Sequence, residues 1–524
     1  MIKSTFFIIS FVFLLTLPTE RREMMVTSVW QIAGIVLAVL LIEFVGIMSV
    51  KKVKNASDFT TGGGRAGLWV VVGTIMGTLV GGQSTIGTAQ LSFSYGISAW
   101  WFTVGAALGC VVLGIGYAIP LRYSGSTTLM EVISKEYGKK AEMTGSVLCS
   151  LGMFVSIVAQ VLSAGALLMT LFPVNMHTAA LLSAVVMVIY VVFGGVWSAG
   201  IGGIVKLILL SLSALAGGVM VLVFSGGCSG LMDSVIHLLN DTDISAVTDF
   251  NSKEEIIYRY TNIFSRGASK DICSCISVIL GVLATQSYAQ GIWAAKTDSV
   301  ARKACMLSAV LTIPIGVACA LVGMYMRANY VTFEESQRLA EMGLTLPEGI
   351  GVMRNSAQAF PVFITDHLPE FLGGVVLGVL LITVIIGGSG LTLGAATIIV
   401  RDVFMRLSSR FKDVKSNIML SRCTIVLILS LAMITASSFS GTFINDLGFL
   451  SMGLRTTAAF VPLTLALFLP GRFNYKWIFI SIIAGTVALV VSNIINPPFD
   501  PLFAGLGVSL LCCLIGYKWK KDVN

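Results

Sequence analysis

Apolar residues run along this chain in blocks of membrane length, divided by short polar and basic segments. From Trp30 onward about thirteen blocks of roughly 20 residues or more can be marked. They lie near 28–50, 67–95, 98–121, 141–172, 177–196, 201–224, 273–295, 306–329, 371–399, 420–440, 446–469, 475–494 and 501–518. Blocks of this length with few charges read as transmembrane helices, because a spanning segment must satisfy its own backbone. The pattern predicts an all-α polytopic membrane protein.

One block, 67–95, is weakened in its middle. Gly73, Gly77 and Gly81 recur every fourth residue and give a smooth stripe for a neighbouring helix. Gly81 and Gly82 then stand side by side before Gln83-Ser84-Thr85. Adjacent glycines lower helix propensity, so a break is expected there, with free carbonyls at mid-membrane. Such a break marks a binding site where it lines a cavity; a kinked, purely structural helix with a glycine seam is the other reading.

Composition agrees with the blocks: 56% of residues are apolar and 11% charged. The net charge of +8 comes from basic loops. With the first helix starting outside, the segments holding Lys51, Lys52, Lys54 and Arg65, then Arg122, Lys135, Lys139 and Lys140, then Lys296, Arg302 and Lys303, then Arg401 to Arg422, and finally Lys518, Lys520 and Lys521 all fall on the cytoplasmic side. The opposite segments, 225–272 and 328–370, are acid-rich. Expected localisation is therefore the plasma membrane, multi-pass, with the N-terminus outside and the C-terminus cytoplasmic, and no nucleic-acid face. The ten cysteines show no metal or disulfide spacing, although Cys228 and Cys273 flank one loop and can be imagined to pair. Residues 1–24 read in three ways: a signal-like segment, an extra anchor, or an upstream extension with the start at Met24 or Met25, the last being preferred.

After the leading helix 28–50, the remaining blocks divide. In the five from 67 to 224 the long connection, 122–140, follows the second helix and lies inside. In the five from 273 to 469 the long connection, 328–370, again follows the second helix but lies outside. Two five-helix units of opposite orientation are the mark of an inverted repeat, which implies alternating access about a shared midplane site. The loop 225–272 joins them, and 475–524 adds two C-terminal helices with a short cytoplasmic tail. A channel is the main rival architecture, but no repeated filter motif or ring of charges is evident.

Several motifs then occur in order: GGGRAG at 62–67, GGQSTIG with the following YGISAWW, TLMEVISKEYG at 128–138, FGGVWSAG at 193–200, AQGIWAAKTDSVARKA at 289–304 and IIVRDVF at 398–404. Together they resemble the sodium:solute symporter family. The resemblance implies a LeuT-type core of ten helices, preceded by one helix and followed by two. It also implies import of a small solute (a sugar, amino acid, sialic acid, vitamin or short carboxylate) and a sodium ion as coupling partner.

The family's main sodium site uses carbonyls of the broken first core helix and hydroxyls of the eighth. Gly77 and Val80 stand at the carbonyl positions, and any residue type can serve there. In the eighth core helix the usual Ser-Thr pair is replaced by Ile386-Gly387; Thr383, Ser389 and Thr392 are nearby hydroxyls off the pattern. In the fifth core helix Gly202-Gly203 replace a Thr-Asp pair and Lys206 replaces a Gln. Sodium is a hard cation needing several oxygens, so these losses put sodium coupling in doubt. Lys206 reads in two ways. Its ammonium can stand in for sodium against the carbonyls of Gly77 or Val80, making transport proton-coupled or ion-independent, or it can snorkel toward the cytoplasmic end. A sodium site rebuilt from the off-pattern hydroxyls stays open too.

Arg455 lies well inside its block, where a guanidinium suits bidentate grip of a carboxylate; alternatively it pairs with Asp446 or caps a carbonyl. Candidate substrate-binding residues are Gln83 and Ser84, Gln160, Thr285, Gln286 and Tyr288, with Arg455. The three histidines, His177, His237 and His367, are all expected outside, which argues against a histidine relay. No paired carboxylates, HExxH, GxSxG or nucleotide-phosphate loop lies within the spans, so neither an enzyme nor an ATP-driven pump is expected. A substrate-sensing membrane protein is a further alternative to transport.

Overall fold

The computed structural model describes residues 28–50, 64–193, 196–407, 414–439, 441–495, 497 and 499–518. The readings of residues 1–24 therefore concern a segment outside the described residues, as do Gly62 and Gly63 of the first motif and Gly194 and Gly195 of the fourth.

Every apolar block is helical in its described part. The leading helix is Val29–Val50, and the first core helix is broken into Leu68–Leu79 and a π-helical turn, Gln83–Gly87, that runs into Thr88–Tyr95. The second runs from Trp101 to Tyr123, the third is Lys139–Leu171, the fourth Met176–Phe193 and the fifth Val196–Phe224. The sixth is broken again, Ala268–Leu283 then Gln286–Ala294, with a 46° bend between the halves. The seventh is Asp298–Asn329, the eighth Glu370–Ile398, the ninth Val414–Ser438, and the tenth comprises Ile444–Arg455 and Val461–Phe468 joined by a π turn. Two more, Tyr475–Ile495 and Pro501–Ile515, pack on each other and against that turn.

Among the described residues, eight helices are long and apolar enough to cross a membrane, or nine if the bent pair is one span. That is fewer than thirteen for physical reasons. Gln83–Tyr123 counts as one run of 41 residues although it turns at Gly96, whose φ is 55°. Leu68–Leu79, cut at 12 residues by the break, and Pro501–Ile515, with 15, are short, whereas the leading helix Val29–Val50 and the fourth, Met176–Phe193, are apolar helices of 22 and 18 residues.

Close approach of backbones through small residues holds the bundle together, as expected where apolar side chains gain little from leaving lipid. The leading helix lies along the eighth core helix, with Gly34 against the backbone of Phe371 and Gly374 against that of Gln31. Gly203 of the fifth helix faces the Gly73 carbonyl of the first, so the expected glycine stripe is indeed a packing seam as well as the approach to a break.

Over the acid-rich end, the connections 225–272 and 328–370 build a cap. Cys228–Asn240, Lys253–Thr261 and Phe333–Glu341 enclose a small second core of Val235, Leu239, Ile256, Tyr260, Val331 and Leu339. Tyr330–Thr332 pairs in parallel with Gly351–Met353 beside it. Cys228 is exposed and Cys273 buried, and both are free, so the imagined pairing across this loop is not made.

Candidate functional site

The break in the first core helix falls where the two glycines predict it, after Leu79, and its loosened backbone groups are taken up one by one. Ser84 Oγ donates to the Leu79 carbonyl at 3.1 Å and Thr85 Oγ1 to that of Gly81 at 3.0 Å. The Gly82 amide donates to Gln160 Oε1 of the third core helix at 2.9 Å. Gln160 also lies beside Gly387 of the eighth helix, so one side chain spans the gap between break and eighth helix. Unsatisfied backbone groups at this depth cost several kcal/mol each, and here polar side chains of the helix itself and of the third helix take them up.

Lys206 closes the same break from the fifth helix. Its side chain is 1% exposed and does not reach toward water at the helix end. Nζ donates to the Gly77 carbonyl at 2.7 Å and to the Thr383 carbonyl of the eighth helix at 3.2 Å. The snorkelling reading is overturned by this burial. The amide that would otherwise take the Gly77 carbonyl, on Gly81, lies past the helix end. The approach of Gly203 to Gly73 sets up this contact: the fifth and first helices touch there, and one turn further along both chains Lys206 meets Gly77.

A sodium ion is not suited by what surrounds this point. The ammonium already takes the Gly77 oxygen, and the eighth helix presents Ile386 and Gly387. Thr383 Oγ1 is buried without a partner, while Ser389 Oγ donates to the Met187 carbonyl at 3.4 Å and Thr392 Oγ1 to that of Gly388 at 2.7 Å. Val80 is fully buried at the helix end. Of the hydroxyls off the pattern, two are thus taken by separate carbonyls and one stands without a partner, so they are not gathered into the set of several oxygens that a hard cation needs.

A second polar cluster sits between the third, sixth and tenth helices. Arg455 is 0% exposed. Its Nε donates to the Ser451 carbonyl at 3.1 Å, one terminal nitrogen to Thr285 Oγ1 at 2.6 Å and the other to Ser451 Oγ at 2.8 Å. Asp446 does not pair with it: that carboxylate takes Arg266 at 3.0 Å and Lys270 at 3.7 Å near the acid-rich end. Thr285 stands at the break of the sixth helix, and Tyr288 one turn on is buried nearby. Gln83, at the end of the first break, accepts from Ser156 Oγ at 3.3 Å, and its Nε2 is buried without a partner.

Gln286 falls elsewhere. Its amide nitrogen donates to the Thr127 carbonyl at 3.0 Å and its oxygen accepts the Leu129 amide at 2.9 Å, so it caps the short helix Leu129–Tyr137 rather than facing the Arg455 cluster. Around it the basic end is stitched shut. Arg122 pairs with Asp298 at 2.7 Å and reaches the carbonyls of Ile292 and Ala295, Trp293 Nε1 donates to the Leu121 carbonyl at 2.7 Å, and the Ala66 amide donates to Ala294 at 2.8 Å. Two contributors, Ser156 and Ser451, were not singled out from the sequence, and Gly203 was noted only as a lost sodium ligand and not as a packing contact. Ser156 and Ser451 each sit one turn before a residue that was, Gln160 and Arg455, and that spacing on one helix face is the signal that could have found them.

Comparison with known proteins places this geometry in context. The family model for the sodium:solute symporter family matches residues 59–485. The high-affinity choline transporter 1 of Torpedo marmorata is 26% identical over 461 residues, covering 85% of this chain and 73% of that protein. The sodium/glucose cotransporter of Vibrio parahaemolyticus is 22% identical over 451 residues, covering 83% and 78%. A sialic acid symporter solved in a substrate-bound, outward-open state superposes with a TM-score of 0.68 at 15% identity, covering 94% of this chain and 97% of that one. At that identity the likeness speaks for the fold, which is of the LeuT type. With broken first and sixth core helices and a family match over most of its length, the chain belongs to the sodium:solute symporter family and is a secondary active transporter of solutes.

Proposed function

We propose that this transporter imports a small organic solute across the plasma membrane without using sodium at the family's main ion site, because the Lys206 ammonium takes the ion's place. The observation that carries this is the bridge from Lys206 Nζ to the carbonyls of Gly77 and Thr383. It ties the fifth helix, the broken first helix and the eighth helix together at one point, where a bound cation would do the same. Coupling is then to protons through Lys206, whose deprotonation removes the charge that strengthens its hold on both carbonyls and so loosens the break, or transport runs without an ion. The substrate lies against Gln83, Ser84, Gln160, Thr285, Tyr288 and Arg455, between the two breaks, as discontinuous helices of transporters favour. The basic end faces the cytoplasm, following the bias of Lys and Arg, and rocking of two five-helix units exposes the site to each side in turn.

The test is uptake of labelled amino acids, sugars, choline and short carboxylates into proteoliposomes, with sodium and proton gradients imposed separately and Lys206→Gln run alongside. The expected result is uptake that ignores a sodium gradient and is lost in the variant. Sodium-dependent uptake that survives Lys206→Gln overturns the assignment.

A further inference from the structure

We infer that the Arg455 cluster is the anion-binding pole of the substrate site and that the transported solute carries a carboxylate; this rests on the transport reading above. A guanidinium has five N–H donors in a planar fork. Three are used, by the Ser451 carbonyl, Ser451 Oγ and Thr285 Oγ1. One N–H on each terminal nitrogen has no acceptor among the described residues. A carboxylate, with two oxygens, can take both.

Charge leads to the same ligand. All three partners are neutral, and no carboxylate of the described residues pairs with Arg455. A buried cation without a counter-charge is strongly disfavoured, and a ligand carboxylate restores the balance. The other ion pairs of the described residues show how a structural arginine is treated in this molecule: buried Arg266 has Asp271 at 2.8 Å, and Arg327 has Glu335 at 2.8 Å. Arg455, more buried than either, has none.

A second unsatisfied donor lies close by. Gln83 Nε2 is 4% exposed as a residue, buried as an atom and without a partner. On the third helix, Ser156 bonds Gln83 while Gly152, one turn earlier, lies against the Arg455 side chain. The stem of Arg455 and the amide of Gln83 are therefore set against consecutive turns of the third helix. A short acid with a carbonyl or hydroxyl oxygen a few bonds from its carboxylate matches both. A quaternary ammonium meets like charge at Arg455.

Purified full-length protein is tested by thermal shift against short 2-oxo, 2-hydroxy and 2-amino acids, each beside its primary amide, and against choline and glucose. At least one acid is expected to raise the melting temperature while its amide does not. Uptake of that acid in proteoliposomes should show KM higher on the order of 100-fold in Arg455→Lys, which keeps the charge but loses the fork, and no saturable component in Arg455→Gln. Gln83→Leu should raise KM with the acid preference kept. If Arg455→Gln does not fold, the acid-against-amide comparison on the native chain decides alone. Saturable uptake of choline or glucose with no acid bound overturns the carboxylate assignment and leaves transport standing. Absence of saturable uptake of any solute, with an acid still bound in the thermal shift, upholds the pole and overturns the transport reading instead.

Discussion

Gly203→Ala, set beside Gly202→Ala, separates a packing role from a positioning role within two adjacent residues. A Cβ built on Gly203 falls inside contact distance of the Gly73 carbonyl oxygen and 2.9 Å from its carbon, where ordinary contact begins near 3.4 Å. To clear the oxygen the fifth helix must retreat by about 1 Å, an overpacking that typically costs about 1–3 kcal/mol. Lys206 lies one turn away, its two bonds at 2.7 and 3.2 Å, and the longer one has no slack. Loss of one charge-assisted bond adds about 1.5–3 kcal/mol, against roughly 1 kcal/mol gained from alanine's better helix propensity. The expected sum is a destabilisation of about 1.5–5 kcal/mol. A Cβ on Gly202 meets nothing within 4 Å, so its alanine variant should keep only the gain in propensity. Thermal unfolding in detergent and proteoliposome uptake read both variants: Gly203→Ala should melt earlier and transport poorly, Gly202→Ala should match or exceed the parent in stability. Equal behaviour of the two would refute the argument that the Gly203 approach seats Lys206.

Two further outcomes are expected. Gln286→Ala removes the cap on Leu129–Tyr137 and leaves the Leu129 amide and Thr127 carbonyl without partners, so a cysteine introduced by Thr127→Cys should label faster with a membrane-impermeant maleimide from the basic side; unchanged labelling would show that the other contacts of that end suffice. In the cap, burial alone would push the Glu335 carboxyl up, but the Arg327 guanidinium and the Thr332 amide and hydroxyl outweigh it and hold it below the ordinary carboxylate range. A depressed carboxyl stabilises above the unfolded value of about 4.3 and loses that contribution as pH falls through the lower folded value. Glu335→Gln should therefore exchange amide hydrogens faster at Tyr330–Thr332 near pH 7, with the gap to the parent closing only below about pH 4; a gap independent of pH would refute it.

Much of this was legible in the sequence, and for stated reasons. Gly81-Gly82 announced the first break because two adjacent glycines weaken a helix whatever surrounds them. The sixth helix has no such pair, so the sequence offered Thr285, Gln286 and Tyr288 as candidates without locating the break there. Lys206 was ambiguous because a lysine two turns from a helix end has the reach to go either way; the choice is made by Gly203, whose closeness to Gly73 is a property of two helices and not of one. Gln286 was assigned to the substrate site because a glutamine beside a break reads the same whether it faces a solute or a loop, and the loop that claims it lies far away in the chain. Asp446 was offered to Arg455 by proximity in sequence, yet the buried Arg266 at the acid-rich end holds it.

The lysine at the break has an electrical consequence. A sodium ion that enters with its solute adds one positive charge to every turnover and draws on the membrane potential, about 2.3 kcal/mol per charge for each 100 mV. A cation fixed to the polypeptide by a side chain is never released, so it adds nothing to the current. A cycle built on Lys206 moves only the charge of its solute and of whatever proton travels with it: one proton per monocarboxylate is electrically silent, and voltage then neither drives nor opposes accumulation.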